Sequence, residues 1–312
     1  MTDWHAPGLS RRNRLLRKYW PFYLMALVPL AQVILINYIP IYGVVIAFKD
    51  FRITRGISGS AWVGLKHFRA VFNDAFFYRA LWNTLRISFV QLITHFTLTI
   101  VFALLINEIQ HVRFKRTVQT VSYLPYFLSW VVVGAFVHQI LSPNGGALNI
   151  ILVNLGVLEK PRYFMIERQS FLTIFVVANL WKTIGYAVII YLAAIAGINQ
   201  ELYESAHLDG ANRFKRVLHI TLPGLAPTIS TLLILNVGGL LSIGFDPIFN
   251  LYNASTEPVA DVISTYVYRR GLIDMKYDFT TAIGLFQNVV AFSLVLTTNF
   301  LAKKTNPDFR IL

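Results

Sequence analysis

Long runs without Asp, Glu, Lys or Arg divide the chain. They cover residues 19 to 48, 87 to 107, 117 to 158, 169 to 200 (interrupted by Lys182 alone), 217 to 245, and 279 to 302. A bilayer core about 30 Å thick takes about 20 apolar residues at about 1.5 Å rise each, so every run is long enough to cross as a helix. The third run is too long for one span, and Ser142-Pro143-Asn144-Gly145-Gly146 interrupts it. It is expected to give a span near 119 to 141 and a short apolar tail along the interface. The first run follows a basic stretch, as a secretory leader would, but it is too long and has no small-x-small cleavage site, so it reads as a retained span. The pattern predicts an all-α integral membrane protein with six transmembrane helices. Pro29, Pro40 and Pro125 are expected to kink their spans. Between the first two spans, Phe68, Val71, Phe72, Ala75 and Phe76 recur at spacings of three and four, with Lys66, Arg69 and Arg79 among them. That spacing predicts an amphipathic helix lying on the membrane.

Composition supports the membrane reading. Of 312 residues, 55% are hydrophobic and 14% charged, against roughly a quarter charged in soluble domains. The net charge of +13 would suggest nucleic acid in a soluble protein; here lipid is the expected partner and nucleic acid is not. No cysteine is present, which excludes disulfides, thiolate nucleophiles and cysteine-ligated metals. An even number of spans puts both termini on one side. Arg11, Arg12, Arg14, Arg17 and Lys18 beside the first span make that side cytoplasmic by the positive-inside rule. The opposite loops keep a basic excess, which serves either an anionic passenger or headgroups and topology.

The loop 201–223, ELYESAHLDGANRFKRVLHITLP, is too polar for a span and lacks the Ser, Gly and Pro clustering of a flexible linker. Glu201 and Glu204 suit a helix start, where carboxylates meet the positive end of the helix dipole, and Gly210 suits a left-handed helix end. A helix is therefore expected to stop near Asp209. A second amphipathic piece from Ala211 to His219 should follow, before Leu222-Pro223 opens the next span. The product is a helix-turn-helix knob outside the membrane.

Glu204-Ser205-Ala206, three residues, Gly210, nine residues, then Ile220-Thr221-Leu222-Pro223 resembles the Glu-Ala-Ala loop of membrane subunits of binding-protein-dependent ABC importers. Ser205 stands where alanine is usual, a small-for-small change. The flanking YESAHLDGA resembles the sugar-importer branch, and Asn83-Thr84-Leu85 resembles the start of the common core. IPIYGVVIAFKDF, GISGSAWVGLKHF and DVISTYVYRRGL resemble the polysaccharide-permease subgroup. The resemblance implies a type I ABC importer-like transmembrane domain. Residues 1–78 would form a cytoplasmic basic tail, the first span and an outer amphipathic helix. Residues 79–302 would be the core with its coupling loop, and 303–312 a cytoplasmic tail. It implies a permease subunit in a bacterial inner membrane, forming half of a translocation pathway for an oligosaccharide or polysaccharide, with an anionic sugar such as alginate among the candidates. The implied partners are a second homologous permease subunit, two ATP-binding subunits that hold ATP and Mg, and an extracytoplasmic solute-binding protein. Glu204 and Asp209 would accept charge-assisted hydrogen bonds from an ATPase subunit, while Ser205 and Ala206 would allow close approach.

Within the spans, Lys182 lies about eleven residues deep, where an ionisable group must pair or face water. It either faces a cavity or bonds a carbonyl of a neighbouring helix. Asn179 and Tyr186 lie on or near its face, and the three are candidates to line a sugar path. Asn236 and Asn288 are further candidates for that path. With His138, Gln139 and Gln287, they are equally suited to helix-helix hydrogen bonds.

The chain has no G-x-x-x-x-G-K-[ST] phosphate loop, no H-E-x-x-H pair and no G-x-S-x-G elbow. It is therefore not expected to be an enzyme or to bind ATP, a cofactor or a metal itself. Two alternatives remain: an ion-coupled secondary sugar transporter, and a membrane enzyme acting on lipid-linked sugar. The first calls for paired intramembrane acids. The second calls for a polar cluster at the interface, for which Asp246, Glu257, Asp261, Asp274 and Asp278 are the nearest residues. They read as a solvated loop.

Overall fold

The computed structural model describes residues 11–305; the predicted termini before and after them lie outside it. Among the described residues, five helices are long and apolar enough to cross a membrane: Lys18–Phe48, Ala75–Asn107, Arg168–Ala196, Arg213–Gly238 and Tyr277–Lys304. Val112–Phe127 and Trp130–Ile140 meet at 102° and make a sixth span if taken together. Below, the spans are numbered one to six in chain order, with the bent pair as span three.

The span expected near 119–141 with a kink at Pro125 is broken into two helices, Val112–Phe127 and Trp130–Ile140. Pro125 sits in a tight 3-10 turn, Leu124–Phe127, and cannot donate to the helical ladder. Ser129 then starts the next helix, its side chain accepting from the Val132 amide at 3.3 Å. The Lys182 amine, arriving from span four, donates to the Tyr126 carbonyl at 2.7 Å, which satisfies an acceptor that the break leaves free in an apolar setting. The apolar tail forms a helix, Ala147–Asn154. Its Asn149 is buried and donates to the carbonyls of Leu141, Ser142 and Arg162.

Spans two and four form the most extensive helix pair, with apolar clusters along it. At one end Ala103, Ile106, Val188, Tyr191, Ile195 and Leu225 pack together. Further along, Ile87, Phe171, Phe175 and Ala178 meet Ile248, Leu251 and Val262 from the 239–279 segment. Span one is different. Its most apolar 18-residue window has no buried residue, and only its 3-10 end, Ile39–Phe48, packs on span six, with Ala47 fully buried.

The expected amphipathic helix is shorter than the spacing suggests. The helix covers only Lys66–Phe72, and it packs against span six and buries His67 and Val71. Span two begins separately at Ala75, capped by Asp74, whose Oδ1 accepts from the Phe76 amide at 2.8 Å. A short antiparallel hairpin pairs Lys49 with Trp62 and Asp50 with Ala61. It lies next to this helix, and the His67 ring meets the Lys49 carbonyl at 3.1 Å and Asp278 at 3.4 Å.

At this hairpin end, most of the acids expected to be a solvated loop are paired. Asp261 is completely buried; Arg269 reaches it at 2.6 Å and 3.1 Å, and Thr265 donates to it at 2.7 Å. Glu257 takes Arg79 at 2.9 Å and Arg269 at 3.6 Å. Tyr266 donates to Asp74 at 2.6 Å, and Arg270 bridges Asp74 and Asp274 at 3.4 Å and 3.1 Å. The Asn83 amide, at the head of the predicted core, donates to the carbonyls of Pro258 and Asp261 at 3.1 Å and 3.0 Å. The Ile263 amide donates to Thr84 at 2.9 Å.

Burial alone would raise the Asp74 carboxyl, but hydrogen bonds from Tyr266, the Phe76 amide and Arg270 outweigh it and hold the group below its usual value of 3.8. Burial and the Asp74 bond push the Tyr266 hydroxyl up to about 12. For Arg269, burial works against the charge, but the bond to Asp261 prevails and raises its pKa. Because folded Asp74 binds its proton less tightly than the unfolded chain does, it contributes stability above pH 3.8 and loses it as pH falls through the lower folded value. Acid unfolding monitored by tyrosine fluorescence is therefore expected to shift to higher pH in Asp74→Asn. An unchanged acid midpoint would show that the carboxylate contributes nothing.

Candidate functional site

The knob forms as the spacing predicts, with one revision. Asn199 caps a helix over Gln200–Leu208, its Oδ1 accepting from the Glu201 amide at 3.0 Å. Gly210 ends it at φ 73°, a left-handed conformation that glycine adopts without strain. The Ala211 amide closes the turn on the Ala206 carbonyl at 2.9 Å. Asn212 then caps the next helix, accepting from the Lys215 amide at 2.9 Å. That helix runs without a break from Arg213 to Gly238, so Leu222-Pro223 lies inside span five and does not open it. A π turn over Val217–Thr221 gives the backbone immediately before Pro223 a wider turn, where the proline ring and its missing N–H would otherwise disturb a regular helix.

Glu204, Ser205, Asp209 and Gly210 are exposed, and Leu208, 88% exposed, stands beside them. Ala206 is half-buried, as is Tyr203. Ile220 and Leu222 are half-buried in the following turn, while Pro223 is exposed.

A separate polar cavity of about 440 Å³ opens between spans two, four and five. Asn179 and Asn236 line it, as do Ser88, Gln91, His95 and Ser242, with Phe96, Phe175 and Leu240 completing the wall. Asn179 is buried; the Asn236 amide nitrogen donates to the Leu232 carbonyl at 2.7 Å. His95 meets the Thr183 hydroxyl at 2.9 Å.

Lys182, Tyr186 and Asn288 do not line this cavity. Lys182 is buried, and beyond its bond to Tyr126 its amine lies 5.3 Å from the Tyr126 ring centre and 5.8 Å from that of Trp130. Of the two roles open to it, the carbonyl partner is the one observed. Tyr186 stacks on Tyr126 with ring centres 4.0 Å apart. Asn288 is exposed on span six. The cavity residues missed from the sequence had left a signal: Ser88, Gln91 and His95 recur at helical spacing within an otherwise apolar run.

The apolar spans, the polar cavity among them and the knob beyond their ends define a multi-pass membrane permease. Residues 96–308 match the binding-protein-dependent transport system inner membrane component family, and the chain belongs to that family. It is 40% identical to the polygalacturonan/rhamnogalacturonan transport system permease protein YteP of Bacillus subtilis (strain 168), over 95% of this chain and 92% of that protein. Its fold superposes with a TM-score of 0.86 on a crystal structure of a bacterial ABC transporter involved in the import of the acidic polysaccharide alginate. That chain is 38% identical, with 95% of this chain and 100% of that one covered. A second structure, of a bacterial alginate ABC transporter in complex with an alginate pentasaccharide-bound periplasmic protein, matches at a TM-score of 0.85 and 38% identity, covering 95% and 98%.

Proposed function

We propose that this chain forms half of the translocation pathway of an importer for acidic oligosaccharides. A second, homologous permease subunit supplies the other half. Two ATP-binding subunits carry ATP and Mg and dock on the knob, which places the knob and both termini on the cytoplasmic side of a bacterial inner membrane. An extracytoplasmic solute-binding protein delivers the sugar at the hairpin end. The chain itself holds no ATP.

The observation that carries the coupling role is the knob: a short capped helix, its outer face polar around Glu204, continuous through one turn with a span that lines a polar cavity. Asn179, Asn236 and the side chains around them offer amides and hydroxyls to sugar hydroxyls, and Phe96 and Phe175 offer apolar faces. Support for an acidic substrate comes from the relatives, whose names give polygalacturonan and the acidic polysaccharide alginate. A carrier driven by ions, or an enzyme on lipid-linked sugar, is not favoured: the charge-free runs contain no carboxylate, and the acids of the 239–279 segment that could have formed a catalytic cluster are mostly held in ion pairs.

The test is the ATPase rate of the purified assembly in lipid, with binding protein empty or loaded with acidic or neutral oligosaccharide. Stimulation by the acid-loaded protein alone is expected; equal response to neutral sugar would remove the acidic-substrate reading. In the same assay Glu204→Arg removes an acceptor and adds a like charge, and is expected to weaken ATPase docking at least about tenfold. Undiminished assembly and transport in that variant would remove the coupling role.

A further inference from the structure

The coupling helix Gln200–Leu208 has two sides. Glu201, Leu202, Glu204, Ser205, His207 and Leu208 are exposed, while Tyr203 and Ala206, three residues apart, are half-buried. The Tyr203 hydroxyl lies 2.9 Å from the Thr221 hydroxyl, and Thr221 is buried as the last residue of the π turn Val217–Thr221. One helical turn beyond Tyr203's partner begins the stretch that leads, within the same helix, to Leu235 and Asn236 in the cavity wall. On the preceding side, Ile198 packs against Gly224, where no side chain holds it off.

A displacement of the knob has two routes into span five. The first is the backbone turn at Gly210, followed by the π turn; both are local departures from regular helix and yield readily. The second is the side-chain bridge from Tyr203 to Thr221, which bypasses the Gly210 turn and enters the span at the far end of the π turn. We propose that the Tyr203–Thr221 hydrogen bond is the strut that makes the coupling helix and span five move as one body, so that Tyr203 and Thr221 are positioning residues for coupled transport. Without it, a push on the knob is absorbed in the Gly210 turn and the π turn before it reaches the cavity. This rests on the coupling reading above. It adds a mechanical role for two residues that lie on the inward side of the knob, away from the proposed docking face.

The experiment uses the full importer reconstituted in liposomes with its ATP-binding subunits and its binding protein loaded with an alginate oligosaccharide. Tyr203→Phe, Thr221→Val, Thr221→Ser and the Phe/Val double variant are compared for ATPase copurification, melting temperature, ATP turnover and sugar moved per ATP hydrolysed. Copurification is expected to stay at the wild-type level and the melting temperature to fall by no more than a few degrees, the scale of the same bond. Sugar moved per ATP should fall about fivefold in Tyr203→Phe and in Thr221→Val, the scale of one net hydrogen bond. Thr221→Ser, which keeps the hydroxyl, should stay near wild type, and the double variant should be no worse than either single one, because both remove the same bond. A wild-type ratio in Tyr203→Phe, losses that add in the double variant, or a loss of ATPase binding in either single variant would each overturn the strut. Failure of the unmodified chain to retain the ATP-binding subunits would instead remove the coupling reading on which it rests.

Discussion

Arg269→Met is expected to destabilise the chain by about 3–5 kcal/mol, because it leaves a buried carboxylate without its cation. Asp261 has no exposed surface, and Arg269 reaches both of its oxygens; the Thr265 hydroxyl that remains is a neutral donor. Asp261→Asn in the Arg269→Met background removes the orphaned charge and should recover much of the loss. The measurement is the thermal midpoint in detergent of the single and double variants. An unchanged midpoint in Arg269→Met would mean that the pair is screened and contributes little, in spite of its burial. The same substitution breaks the contact from Arg269 to Glu257, which also holds Arg79 at the start of span two. Its effect should therefore extend to the whole hairpin end.

Gly185→Ala is expected to cost about 3 kcal/mol or more, at the upper end of what overpacking costs in a dense core. A methyl group there would overlap the Ser122 carbonyl, where the first half of span three crosses span four. The obstacle is backbone, so no side-chain rotation can relieve it. Gly284→Ala in span six serves as the control, since nothing lies within 4 Å of its added methyl and alanine favours helix over glycine. The two variants are compared by thermal unfolding in detergent and by protease sensitivity of the 112–140 segment. Equal stability of both would show that spans three and four separate easily, and that the close approach is not structurally required.

What the sequence made legible follows from which interactions are local. The spans were readable because the bilayer requires length and the absence of charge, both properties of a contiguous run. The knob was readable because helix starts and turns are set locally: Glu201 near the start and Gly210 at the end do what their residue types do, while the caps Asn199 and Asn212, equally local, were not singled out. The bend of span three was half legible. Pro125 signalled a kink, but at the 102° break the freed Tyr126 carbonyl is met by the Lys182 amine, 56 positions away, which no local pattern announces. Among the acids of the 239–279 segment, Glu257 was misread for the same reason, since Arg79 is 178 positions away, whereas Asp261 and Asp274 have arginine partners eight and four positions along, within reach of a local reading. In the cavity, Asn179 was legible as a neighbour of Lys182 on one helix face, and Asn236 as a polar residue in an apolar run. Ser88, Gln91 and His95 offer the same kind of signal at helical spacing in span two and were passed over.

Span one leaves a different mark. Along its most apolar stretch no residue is buried among the described residues, and it packs on span six through the 3-10 segment that ends at Phe48. Its place in the protein is therefore set by partition between water and lipid, and its side chains answer to whatever surrounds the chain in the bilayer. Substitutions there should follow the rules of solubility in lipid and of intersubunit fit, and be largely silent in the unfolding of the core. The chain thus joins a core that packs on itself to a first helix whose most apolar stretch buries no side chain within the described residues.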